Sequence, residues 1–277
     1  MIFATPAESQ QQNPRPLPAQ SSPSSALTYA DLADLSLAAP VAAHVRITKA
    51  ARLKGEQAAS VPAGVTRFYV EADTLSLLRG PSGIPTAIRY LVDIPNRADG
   101  KTPSIARKSE HLVVGSPVAG RPGELKLARP DAQIAWSPID GERVRRILAE
   151  ASAPRAAPPI IGIGRAFTSP GALRGESETQ IFLQTANGDP VSLSILRRPG
   201  EEPRWGVALG EIVDDAAGPP KPDTLLWYRL ACTLPARLPQ QSLAGSGVAE
   251  AQQINADYAL VLQRLGPCAR SRNFQSR

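Results

Sequence analysis

Four acidic residues around one predicted hairpin are the first candidates for chemistry. Glu176 and Glu178 open an alternating apolar run, and Glu201 and Glu202 sit at the next turn but one. Two carboxylates at a defined separation can divide the acid and base roles of glycoside cleavage, usually in a cleft with a ring for the sugar. Trp205 could supply that ring. Glu176 and Glu178 share a side only if the strand has already begun at 176. The plainer reading is favoured: acids at turns and strand edges keep a sheet soluble and unaggregated. Asp214 and Asp215 lie in a polar, Pro-rich loop without the further oxygen ligands of a calcium loop. Trp205, Asp214 and Asp215 are therefore taken as candidate contact residues for a partner.

The other reactive types are sparse. The two histidines, His44 and His111, each fall inside an apolar strand pattern, where a structural or surface role is favoured over general base. No Gly-x-Ser-x-Gly elbow presents a nucleophile, and no His-Glu-x-x-His arrangement presents a metal. Gly100-Lys101-Thr102 resembles the end of a phosphate loop, but Pro95 stands where the first glycine belongs. Gly162-x-Gly164 has Phe167 at the third glycine position, and no helix follows. No catalytic residue, metal or cofactor is expected. Cys232 and Cys268 fit no metal pattern. In an oxidising compartment they would form one disulfide; the other reading is two buried thiols.

The elements that must position these residues are mostly short strands. Thr179–Thr185 places Ile181, Leu183 and Thr185 on one face. Asn187-Gly188 supplies a turn with positive φ. Val191, Leu193 and Ile195 alternate with serines, and Trp205, Val207 and Leu209 alternate again. Upstream, strands are expected over 44–48, 66–78, 87–94, 111–114, 125–128 and 133–136, with another over 160–167. Thr224 to Cys232 reads as a further buried strand. Three helices are expected. Thr28 and Asp31 make a capping box for a helix over about 29–37. Ser137-Pro138 starts one over 138–151, with Val144, Ile147 and Leu148 on one face. The third runs over 248–265 and ends at Gly266-Pro267.

Composition narrows the class. The 277 residues allow one large domain or two small ones. With 28 prolines against 21 glycines, many of them between apolar runs, short strands are favoured over long helices. The net charge of +6 admits an acidic partner. However, the basic residues are scattered, and the close clusters are Arg143, Arg145, Arg146 and Arg197, Arg198. Nucleic-acid surfaces concentrate charge and add stacking aromatics, so nucleic acid is disfavoured. No apolar run approaches the roughly 18 residues that span a bilayer. Met1–Ala7 lacks a basic n-region and a full h-region, and is read as the remnant of a missing or truncated leader.

The stretches GESETQIFLQTANGDPVSLSILRRPGEEPRWGVALGEIVDDA and DTLLWYRLAC, with TRFYVEADTLSLLRG and IRYLVDIP earlier, resemble a group of uncharacterised bacterial proteins that carry export leaders. The resemblance implies a periplasmic or secreted envelope protein and implies no activity.

The expected architecture is α+β, predominantly antiparallel β, with two β-rich units each closed by one amphipathic helix. Residues 1–27 form a disordered tail, 28–153 a first unit with its helix over 138–151, and 154–277 a meander unit with its helix over 248–265. The expected function is a non-catalytic envelope protein that binds another envelope component, protein or polymer. Two alternatives stay open. One is a hydrolase of an envelope polymer using Glu176 or Glu178. The other is a cytosolic nucleic-acid binder using the Arg143 helix.

Overall fold

A computed structural model of the chain describes residues 27–81, 84–210 and 218–272. The expected tail up to residue 26, and Asp214 and Asp215, lie outside the described residues. The fold is α+β with mostly antiparallel strands.

The first core is a closed barrel. Its strands are β1 (Val41–Arg52), β2 (Val65–Arg79), β3 (Ala87–Pro95), β4 (Glu110–Pro117) and β5 (Glu124–Leu127). β1 pairs with β2, β2 with β3, β5 with β4, and β4 with β1, all antiparallel, while β3 and β5 run parallel. The ring order is thus 1-2-3-5-4. A short β6 (Gln133–Ala135) extends the edge of β4 beside β5. Register shifts in β1 let two long strands bend around the barrel. Closure depends on Gly115, which pairs with Val41 on one side and Leu127 on the other. A Cβ there would lie 2.6 Å from the Lys126 carbonyl oxygen, so only glycine lets β4 and β5 approach this closely.

Alternation decides what the barrel wall shows. Phe68, Val70 and Ala72 of β2 face Val92, Tyr90 and Ile88 of β3 inside. At β1 and β4, Ala42, Leu112 and Val114 alternate away from Val45 and Val113, yet they too are buried. They share their core with α1 (Tyr29–Ser36) and α2 (Pro138–Ala151). Both helices begin as their sequences require: Thr28 and Asp31 form the full capping box, and the Ser137 hydroxyl accepts from the Asp140 N–H. One wall is therefore buried on both faces. The β2–β3–β5 wall keeps its outer row of Arg67, Tyr69, Arg89, Leu91 and Lys126.

The second core is a four-stranded antiparallel meander: β7 (Ile160–Pro170), β8 (Ser177–Thr185), β9 (Val191–Arg197) and β10 (Arg204–Leu209). α4 (Val248–Leu265) lays Ile254, Tyr258, Val261 and Leu265 against it and stops at Gly266, where φ is +73°. Asp257 of the same helix is wholly buried. It accepts hydrogen bonds from Thr179, from Arg197 Nε at 2.6 Å and from Gln253 at 3.0 Å.

One expectation is corrected. Residues 225–231 form a helix, α3 (Leu225–Ala231), not a strand. The Thr224 hydroxyl caps it by accepting from the Trp227 N–H. Its apolar run is continuous because it is buried from two directions. Leu225 and Tyr228 belong to the first core and Leu230 to the second, with Leu226 and Trp227 against both. A short run buried all round has no periodicity to distinguish helix from strand. The segment also has no β-branched residue and is rich in leucine, a compositional sign of helix.

Candidate functional site

The open barrel wall carries a groove of about 670 Å³. Alternation in β2 brings Arg67 and Tyr69 outward, and alternation in β3 does the same for Arg89, Leu91 and Asp93. Register then pairs them across the strands: Arg67 faces Asp93 and Tyr69 faces Leu91. β5 adds Lys126 between the buried Leu125 and Leu127. The β4–β5 loop adds Arg121 and is fastened to β3 by the Arg89 N–H donating to the Gly123 carbonyl at 2.8 Å. Gly123 has φ +80°, and a Cβ there would sit 3.0 Å from the Ala87 carbonyl oxygen, so glycine sets how closely this loop lies on β3.

The electrostatics are one-sided. Five cations line the groove, Arg67, Arg89, Arg121, Lys126 and Arg129, against the carboxylates of Asp93 and Glu124. Arg67 is committed: its guanidinium forks onto Asp93, Nε to Oδ1 at 2.6 Å and Nη2 to Oδ2 at 2.8 Å. This hydrogen-bonded pair raises the Arg67 pKa further, outweighing burial, and keeps a fixed charge pair in the floor. Arg121 reaches Glu124 at 3.3 Å with most of its side chain exposed, a weak contact. Arg89 and Lys126 are exposed and make no side-chain hydrogen bond or ion pair among the described residues. The arrangement can attract and orient anions and accept hydroxyl hydrogens. It offers no nucleophile–base pair.

The residues singled out from sequence are placed elsewhere. Trp205 is 5% exposed and packs in the second core. Cys232 and Cys268 lie at disulfide distance, 2.09 Å between sulfurs and 5.1 Å between Cα atoms. Glu176 is held in the β7–β8 turn by the Leu173 N–H and by Arg198 Nε at 3.1 Å, which lower its pKa and keep it ionised. Glu178 accepts from the Ser194 hydroxyl at 3.0 Å and from Gln180 Nε2 at 3.1 Å.

A larger cleft of about 930 Å³ lies around Glu178, Ser194, Arg198, Arg204 and Arg264. Its arginines each lie near a carboxylate, Arg198 by Glu176, Arg204 by Glu201 and Arg264 by Glu202, the last two in exposed contacts of 3.4–3.5 Å. Its wall extends to Gly218, the first described residue after 210. In the smaller groove on the barrel, Arg89 and Lys126 make no such contact among the described residues.

The histidines, and Arg143 and Arg145 of the Arg143 helix, are also locally engaged. His44 stacks on Trp136 with ring centroids 3.7 Å apart, and its Nε2 lies 2.8 Å from Glu110. His111 Nε2 lies 2.9 Å from the Ser109 hydroxyl, which also lies 2.6 Å from the Ala106 carbonyl oxygen and donates to it. The serine proton points away from the imidazole, opposite to what activation of a nucleophile requires. Burial lowers the His111 pKa, so its ring is neutral at pH 7. On α2, Arg143 pairs with Asp140 and Arg145 with Glu142. Among the described residues no group of three His, Cys, Asp or Glu side chains could hold a metal.

Reasoning from sequence missed the groove. Its outer rows were visible as polar positions alternating with apolar ones. That β2, β3 and β5 lie side by side was not, because the β3–β5 pairing joins residues about 35 positions apart. The sequence matches no family model and no curated protein.

Proposed function

We propose that this chain is a non-catalytic binding protein of an extracytoplasmic compartment that takes another envelope component into the barrel groove. The observation that carries the reading is the exposed cationic wall of β2, β3 and β5, with Arg89 and Lys126 unengaged among the described residues. A charge left without a partner on an ordered, half-enclosed wall serves recognition better than stability, since exposed ion pairs contribute little.

Fold-level analogy supports the choice of wall. A five-stranded barrel is the architecture of the oligonucleotide- and oligosaccharide-binding fold, whose ligands sit on the strand 2–3 face and on the 1–2 and 4–5 loops. Here the groove lies on β2 and β3, and Arg121 comes from the β4–β5 loop. The analogy concerns position and says nothing by itself about activity. The cysteine pair at disulfide distance fits an oxidising compartment. Among the described residues no helix is long and apolar enough to cross a membrane.

Two measurements test the reading. Fractionated host cells should hold the chain in the periplasmic or extracellular fraction, with a mass that increases on reduction. Recovery from cytosol with free thiols would overturn the compartment. Purified chain should co-sediment with isolated envelopes, and a variant carrying Arg89→Glu and Lys126→Glu should not. Equal co-sedimentation would remove the groove from the function.

A further inference from the structure

We propose that the groove's ligand is an anionic glycan, a polysaccharide strand bearing carboxylate or phosphate groups; this rests on the groove being the binding site. Three features of the wall select that chemistry. The first is the set of exposed cations, Arg89, Arg121 and Lys126, contributed by β3, the β4–β5 loop and β5. Guanidinium groups suit planar, bidentate contact with carboxylate and phosphate, and the lysine adds a point charge.

The second is the pair of carboxylates inside the same groove. Asp93 is 8% exposed and both its oxygens accept from the Arg67 fork, so the two lie in the floor as a neutral pair, and Glu124 is the carboxylate open to a ligand. A polymer charged at every repeat, as a nucleic-acid backbone is, would bring phosphates against Glu124, whose 3.3 Å contact with the exposed Arg121 screens it only weakly. A glycan alternates anionic groups with hydroxyls, and a carboxylate accepts hydrogen bonds from hydroxyls.

The third is the aromatic content. Tyr69, opposite Leu91, is the aromatic ring on the outer row of the groove among the described residues. Tyr90, the other tyrosine nearby, alternates into the barrel and donates to Gln133 at 2.7 Å. Single-stranded nucleic acid is held by successive bases stacked on several aromatics. One ring beside a leucine offers a single apolar platform, enough for one sugar face.

The test uses the full chain with its cysteines paired, and four labelled probes in fluorescence polarisation. These are an oligogalacturonate, a phosphorylated mannan fragment, a neutral dextran fragment and an oligo-dT strand. Binding of at least one acidic glycan is expected, weakening with added salt, with dextran and oligo-dT weaker. The Arg89→Glu, Lys126→Glu variant should lose about tenfold or more in affinity while its melting curve stays that of the parent. Tyr69→Ala should weaken binding severalfold with an unchanged salt dependence.

Tighter binding of oligo-dT than of either acidic glycan would overturn the ligand class. If no acidic glycan binds, yet envelope co-sedimentation is still lost in the charge-reversal variant, the groove stands and the glycan assignment falls. Acidic glycan binding that survives the charge reversal would overturn the groove and the assignment together.

Discussion

A buried carboxylate persists only where several donors converge on it, and Asp31 and Asp257 show the rule. Asp31 is 1% exposed. It accepts from the Thr28 N–H and hydroxyl at 2.9 Å each, from the Ser271 hydroxyl at 2.6 Å and N–H at 3.0 Å, and from the Arg272 N–H at 3.2 Å. Burial acts to raise its pKa, but the bonds from Ser271, Thr28 and Arg272 together prevail and lower it. A carboxylate with a depressed folded pKa stabilises above its unfolded value, near 4, and that contribution is lost as pH falls through the folded value. The urea midpoint of the parent should therefore fall more steeply between about pH 5 and pH 2 than that of Asp31→Asn. Parallel curves would show that Asp31 contributes no proton linkage.

Asp257 makes the same point in the second core. Its partner Arg197 is about one-third exposed, while Asp257 itself is fully enclosed. Asp257→Asn keeps the shape and removes the charge facing the guanidinium. A loss of about 3 kcal/mol is expected in urea unfolding, as for other broken buried pairs. A loss below about 1 kcal/mol would class the contact with exposed ion pairs.

At the scale of elements, local chemistry and local geometry agree wherever one face is buried and the other wet. The two long amphipathic helices occupy Pro138–Ala151 and Val248–Leu265, as their apolar spacing and end signals predict. The β8–β9 hairpin turns with Gly188 at φ +81°, while Asn187 bonds Asp189 through its side chain. α3 is where local reading fails, because cores on two sides remove the polar face that would mark the period. Its cap is a more durable signal than its hydrophobicity. Thr224→Ala should cost about 1 kcal/mol, read as a lower urea midpoint and as faster amide exchange at Trp227. Unchanged exchange would mean that packing alone holds the first turn.

At the scale of the molecule, α3 and the segment after α4 bind the two cores to each other. Tyr228 donates to Asp34 at 2.6 Å, and Arg270 Nε reaches the same carboxylate at 2.6 Å. Arg272 pairs with Asp131 at 2.9 Å, and Trp227 Nε1 donates to the Leu265 carbonyl. Cys232 and Cys268 join the end of α3 to this segment across a separation of 36 residues. On the chain-entropy model a bond closing such a loop stabilises by about 4 kcal/mol. Cys232→Ser with Cys268→Ser should lower stability by that order.

The shared helix carries a second consequence. Trp136 packs against the first core and Trp205 lies in the second. Because Trp227 packs against both cores, variants with Trp227→Phe that also keep only one of Trp136 and Trp205 are the probes, and they should unfold at coincident denaturant midpoints, as one cooperative unit. Separated midpoints would show that the cores unfold independently.

What the sequence determines by itself is the set of local elements. Caps at Thr28 and Ser137, alternation along β2, β3 and β8, and the apolar stripes of α2 and α4 each act within a few residues, so each leaves a readable period. Two cysteines can be counted in the sequence, but that Cys232 and Cys268 meet across 36 positions is a fact of the tertiary structure. Only tertiary structure decides that β4 returns to β1, across about 70 residues, and that β5 lies beside β3. Those pairings are chosen by the register that buries most apolar surface, and by Gly115 leaving room for it. They place Arg89 and Lys126 on one wall, and no local pattern records such a meeting.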